Sequence, residues 1–281
     1  MMRLDFTFRA VRGGLAACAL IAATGCGDNI TSVPADSQLR TFRPNKIVSH
    51  RQLHSALTTA LGGGNGGLDF PMWATVVDRE GVVVAVVFSG LAVDDQWLGS
   101  RAISAQKANT ANAFSLDGFA LSTANLFSAV QPGGSLFGLQ ESNPVNPLVV
   151  YGGKQEDYGT VEDFMVGKKP GGINVFGGGL ALYDATTGEV IGAVGLSGDT
   201  SCADHNIAWR VRHALNMDNV PAGVAPAVGA NPPGKDNIIF DISPVTGKSA
   251  GGFGHPTCLG AAADSTRGTN LPTTYPLGPT P

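Results

Sequence analysis

Five histidines carry the most versatile chemistry of the 281-residue sequence: His50, His54, His205, His213 and His255. Imidazole is a common metal ligand, and it titrates near neutral pH. His50 and His54 are four residues apart, so on a helix they face one direction. They flank the apolar face that Leu53 and Leu57 would form. Either can be an axial metal ligand, and the pair can hold a divalent ion; solvent-facing or capping histidines give the same spacing. His205 follows Asp204 and precedes Trp209 by one turn, which would put an aromatic wall beside an imidazole. Equally, Asp204 reads as a first-turn residue favoured by the helix dipole, with His205 exposed. His213, beside Arg212, complements the dipole at a helix end, and His255 sits in Gly254-His255-Pro256.

Other reactive groups are weaker signals. Lys107 and Thr110 share one helical face; a buried lysine stem paired with a carboxylate is one reading. Asp78 is the candidate partner, although aspartate is also a normal turn residue. Ser197 lies in Gly195-Leu196-Ser197-Gly198, which lacks the G-x-S-x-G elbow of serine hydrolases. The run Gly62–Gly67 is no phosphate-binding P-loop, because no Gly-Lys-Ser/Thr follows.

The elements that must position these residues follow from periodicity. Apolar residues at 53, 56, 57, 60 and 61 predict a helix over 47–61, stopped by the glycine run. Met72–Val77 and Val82–Phe88, joined by a turn at 78–81, read as a hairpin. A long helix is expected over Asp94–Ser115, capped by Asp94 or Asp95, with Ala102, Ala105, Ala108 and Ala111 as a narrow seam against a sheet. A short helix over Ser122–Val130 follows. Residues 131–172 read as a long excursion with one strand at Leu148–Tyr151. Asn174–Tyr183 and Glu189–Ser197 form a second hairpin, and Cys202–Met217 the last clear helix. The Pro/Gly-rich stretch 219–281 is an extension with one strand at Asn237–Ile242. Two hairpins give an antiparallel sheet whose faces helices must cover. The result is an α/β sandwich; crossover helices of a doubly wound sheet are lacking.

Residues 1–25 have the pattern of an export signal. Arg3, Arg9 and Arg12 precede the apolar run Leu15–Ala23, well short of the roughly 20 residues that span a bilayer. Ala23-Thr24-Gly25-Cys26 resembles a bacterial lipobox, with Ala23 where Leu is usual, which makes Cys26 a lipidation site; plain secretion is the alternative. A tether over 26–45 then leads to a domain over 46–218. With Cys18 in the signal and Cys26 lipidated, Cys202 and Cys258 remain as a disulfide pair in a compartment that permits one. A net charge of −4 and 14% charged residues argue against nucleic-acid binding. Membrane attachment would come only through the lipid.

The motifs in order resemble one family. Ala74-Thr75-Val76-Val77-Asp78 with Gly81 and Val84-Ala85, Lys107-Ala108-Asn109-Thr110-Ala111 with Phe114, and Gly188 with Val190–Gly198 are similar to the GlcG/HbpS family, the haem-degrading or DUF336 domain. The glycine pairs 171–172 and 178–179 are both candidates for its glycine-rich strand start. Asp204 and Ala208 fit its last helix. The resemblance covers about residues 47–217. It implies a profilin-like α-β-α sandwich around an antiparallel sheet of about five strands, and homo-oligomers. It also implies haem, or another flat cofactor, in a groove. His54 is then the first choice as iron ligand, with His50 beside it. Lys107, Thr110 and His205 would border the groove. Covalent c-type haem is excluded, because no Cys-x-x-Cys-His occurs. The implied role is an exported haem-binding accessory, periplasmic or on the outer surface. An enzyme using the same groove and a non-catalytic interaction protein are the alternatives.

Overall fold

The computed structural model describes residues 47–224, 234–259 and 264–278. The export signal, Cys26 and the tether lie outside the described residues.

Helix α1 (His50–Leu61) begins at Ser49, whose hydroxyl accepts the Gln52 N–H while the Gln52 carboxamide oxygen accepts the Ser49 N–H. This reciprocal cap satisfies two end groups at once. Leu53, Ala56, Leu57 and Ala60 are its buried stripe. Strands β1 (Trp73–Asp78) and β2 (Val83–Phe88) form the first hairpin. Its turn is held by Asp78, which accepts the N–H groups of Glu80 and Val82, and by Gly81 at φ 78°.

Helix α2 (Gly99–Phe114) starts later than the sequence suggests. Asp95 does not cap it. Its carboxylate accepts the N–H groups of Leu91 and Ala92 and closes a separate turn before the helix. Strand β3 (Phe119–Ala120) and helix α3 (Thr123–Leu126), capped by Ser122, follow, with a 3₁₀ turn at Ser128–Val130. In the excursion, α4 (Leu139–Ser142) and α5 (Pro147–Val150) are single turns. The strand expected at Leu148–Tyr151 is helical, because Pro147 opens a turn and Asn146 accepts the Leu148 N–H. Strands β4 (Gly179–Tyr183) and β5 (Val190–Ser197) form the second hairpin, and α6 (Ser201–Ala214) follows Thr200 as its cap.

The sheet is antiparallel in the order β2-β1-β5-β4, four strands rather than five. Its β2 edge is met only locally: Val83 exchanges two hydrogen bonds with Gly167 and Lys168 of the excursion. Strand β6 (Ala222–Gly223) pairs in parallel with β3 in a separate small sheet. One face of the large sheet packs on α1 and α6 through Ala74, Val76, Leu180, Leu182, Val194 and Leu196. The other packs on α2 through the predicted alanine seam. β1 is buried on both faces, which is why it reads as a continuous apolar run. At Gly195, a Cβ would lie 2.0 Å from the Ser104 carbonyl oxygen, so α2 rests directly on backbone.

The extension is built into this body. Asn237–Ile242 forms no strand; the Ile238 N–H donates to His205 Nε2 and the Ile239 carbonyl accepts the His255 N–H. Helix α7 (Asp264–Thr274), unanticipated in a stretch with Gly268 and Pro272, packs Leu271 into the α1–α6 core. Arg212 of α6 makes a buried two-point ion pair with Asp236, at 2.6 and 2.9 Å. The expected disulfide joins Cys202 on α6 to Cys258. Among the described residues, no helix is long and apolar enough to cross a membrane.

The disulfide closes a sequence separation of 56 residues. The chain-entropy argument gives about 4 kcal/mol for such a loop. Urea unfolding of a Cys202→Ala/Cys258→Ala double variant is expected to show a loss of that order. A loss under about 1 kcal/mol would mean that the ion pair and apolar packing alone anchor the extension.

Candidate functional site

The candidate histidines separate into two environments. His54 is exposed on α1, and its backbone carbonyl accepts the Thr58 hydroxyl. His50, at the first turn of the same helix, is half-buried. Its Nε2 lies 2.8 Å from the Gly159 carbonyl oxygen. A carbonyl only accepts, so Nε2 carries the proton and Nδ1 is the nitrogen with the free lone pair. Metal-binding imidazoles are commonly oriented by such a bond from the other ring nitrogen.

His50 lines a groove of about 460 Å³ at the β2 edge of the sheet. Val48, Val84, Ala85, Val161 and Val166 give it apolar walls; Arg51 and Thr160 stand at its margin. The volume falls within the roughly 300–1,000 Å³ of small-molecule sites. One wall comes from the excursion, which is fixed to the core by Asp163. That buried carboxylate accepts Arg101 Nε and Nη2 of α2, at 3.0 and 2.6 Å, and the N–H groups of Gly159 and Met165. Gly159 has φ 73°, and a Cβ there would sit 2.3 Å from the Phe88 ring. A side chain at that position would displace the carbonyl that orients His50.

Donor chemistry in this groove suits haem: one imidazole, valine walls for a macrocycle, and a guanidinium at the rim for a carboxylate. A second recess, of about 350 Å³ between residues 127–135 and 242–253, has no imidazole, thiol, thioether or phenol among the described residues of its wall.

Lys107, Thr110 and His205 lie away from the groove, inside the fold. Lys107 Nζ donates to Asp204 at 2.6 Å and to the Leu196 carbonyl at 2.9 Å, with both side chains buried. Its partner is therefore Asp204, while Asp78 serves the hairpin turn. Thr110 donates to the Gln106 carbonyl and accepts the Asn174 N–H. His205 is fully buried, its Nε2 accepts the Ile238 N–H at 3.1 Å, and Trp209 stands 6.4 Å from its ring. His213 bonds Asp218.

One contact was not legible in the sequence. His255 Nε2 is 2.7 Å from Ser201 Oγ, and its Nδ1 donates to the Pro256 carbonyl. The pairing resembles a nucleophile and its base. However, His255 is buried, and Ser201 Oγ also accepts the Gly177 N–H at 2.6 Å. These bonds, beside the disulfide, fasten the extension to α6. The two partners are 54 residues apart, and no spacing rule joins them.

Burial pushes the His205 pKa down to about 3 and the Asp204 pKa up to about 6, the latter opposed by Lys107. The unfolded chain takes up a proton at His205 near pH 6.5, the folded chain only near 3, so this group lowers stability as pH falls through that window. Asp204 acts the other way: its contribution is present at low pH and lost as pH rises through about 6. In His205→Gln, the change of stability with pH between about 4 and 6 should be more negative than in the parent, by up to about 1.4 kcal/mol per pH unit. Urea unfolding followed by tryptophan fluorescence measures it. Parallel profiles would show that His205 is not held neutral.

Comparison with known proteins adds the family. A family model described as haem degrading protein HbpS-like matches residues 64–212. No curated protein matches. Among solved structures, the PduOC:haem complex is 25% identical, with a TM-score of 0.41, and covers 59% of this chain and 91% of that one. Klebsiella pneumoniae protein ORFY, of family-model DUF336, is also 25% identical at a TM-score of 0.41, covering 60% and 88%. At that TM-score neither superposition fixes a site in this chain. The family match spans β1 through most of α6 and leaves His50, His54 and the extension outside it. Because the match takes in more than half of the sequence, the chain belongs to the HbpS-like family.

Proposed function

We propose that the protein binds haem, or a flat apolar cofactor of similar chemistry, in the groove beside His50, as an exported and lipid-anchored accessory. The observation that carries this reading is the oriented imidazole: His50 donates through Nε2 to Gly159 and lines a valine-walled groove at the sheet edge. The family description, which names haem, supports the choice of ligand. His50 replaces His54 as first choice, since His54 is exposed and does not line the groove.

Bound haem would supply a redox-active iron and a strong visible chromophore. The chain's own residues bind and orient. Gly159 sets the His50 tautomer, Val84 and Val166 exclude water from one side, and Arg51 offers a charge for a carboxylate at the rim. The family description also speaks of degradation. Among the described residues that line the groove, His50 is the one imidazole and the others are apolar, hydroxyl or guanidinium side chains, which supports binding as the first reading.

Titration with haemin is expected to give a saturable Soret band. His50→Ala should weaken binding about tenfold or more, as loss of a ligand or of its orientation does, and His54→Ala should leave it unchanged. A Soret titration unaffected by His50→Ala would overturn this assignment.

A further inference from the structure

The glycine run that closes α1 has no part in the groove beside His50. It faces helix α7 across a recess of about 220 Å³. Gly63, Gly64, Asn206, Arg210, Arg267 and Tyr275 line it. Arg210 comes from α6 and is 5% exposed. Its Nε donates to the Asn206 carbonyl, and its Nη2 has no hydrogen-bond partner among the described residues. Arg267, exposed on α7, places Nη1 against the Gly63 and Gly64 carbonyls at 3.3 and 3.0 Å.

The glycines are what let the two cations approach. A Cβ on Gly63 would stand 2.5 Å from Arg210 Nη1 and 3.5 Å from the Tyr275 hydroxyl. A Cβ on Gly64, at φ 60°, would stand 3.4 Å from Arg267 Nη1. No carboxylate is among the described side chains that line the recess. Burial depresses the Arg210 pKa, the nearby Tyr275 opposes that, and Arg267 adds like-charge repulsion. In a chain of net charge −4, the described side chains of this recess thus include two arginines and no acid.

We propose that this recess binds a small oxyanion, a carboxylate or phosphate group, between Arg210 and Arg267. A guanidinium presents a planar fork of donors that matches either group. An oxyanion in the recess would complement both guanidinium charges; Arg210, already bonded to Asn206 and to Tyr275, keeps a buried Nη2 without a hydrogen-bond partner among the described residues, which a small shift of the side chain would bring to the anion. Thr266, Asn270 and Thr274 of α7 add neutral polar groups to the wall. The α7 half of the site lies outside the segment matched by the family model, while Gly64, Asn206 and Arg210 lie within it. The site is independent of the groove beside His50.

Isothermal titration of the full chain with sodium phosphate and with sodium succinate, against sodium chloride at matched ionic strength, tests this. Saturable binding of at least one is expected. Phosphate alone or succinate alone identifies which source of the oxyanion is recognised, and binding of both points to the shared chemistry. Arg267→Gln should weaken binding about tenfold, since bonds to charged groups are the strong ones. Arg210→Met should weaken it further; because Arg210 is buried, its thermal unfolding is measured alongside, and the exposed Arg267 variant is the decisive one. No saturation by about 10 mM with either anion, or equal binding by Arg267→Gln, would overturn the proposal.

Discussion

A lysine ammonium reaches an aspartate across the sheet, and the layered architecture depends on that contact. Lys107 is rooted in α2 on one face, and Asp204 belongs to α6 on the other. The crossing is possible because the chain has no side chain where the two meet. A Cβ on Gly178 would stand 3.2 Å from the Lys107 Nζ and 3.0 Å from the Asp204 Cβ. The second oxygen of Asp204 accepts the Asp199 N–H, and Asp199 in turn accepts the N–H groups of Leu68 and Phe70 ahead of β1. One buried charge pair thus ties both helical layers and the start of the central strand. Such a pair costs desolvation, and the pKa values of both partners shift toward the neutral forms for that reason.

The groove beside His50 opens where this tight interior ends. The interior polar groups, Lys107, Thr110 and His205, are committed to one another and to backbone. The groove beside His50 lies at the edge strand, walled by an excursion that a second buried ion pair, Arg101–Asp163, holds to α2. A third, Arg212–Asp236, holds the extension. The same device, a buried arginine or lysine on a helix that faces an aspartate, therefore positions the core, the wall of the groove and the tail.

Much of this was legible in the sequence because it follows local periodicity. The alanine seam of α2 predicted its close approach to the sheet, and the two hairpins announced themselves through β-branched runs and glycine turns. The Cys202–Cys258 bridge followed from compartment chemistry. What escaped depends on tertiary context. Helix α7 contains Gly268 and Pro272, poor helix formers, and it is the packing of Leu271 into the core, a tertiary contact, that no local pattern announced. The Lys107–Asp204 pair spans 97 positions and cannot be seen in any window of spacing. Between His50 and His54, periodicity gave no choice; tertiary contacts distinguish them, since His50 lines the groove and meets the carbonyl of Gly159, 109 residues away, while His54 is exposed. Asp95 looked like a helix cap because it precedes an apolar-periodic run, but a tighter local turn claimed its carboxylate.

A double-mutant cycle on Lys107→Met and Asp204→Leu measures the central contact most directly. Each single substitution leaves an unpaired buried charge and should cost about 3–5 kcal/mol, whereas the double variant should cost clearly less than the sum. Additive losses within about 0.5 kcal/mol would mean that the two side chains do not act as a pair, and that something else holds the layers in register.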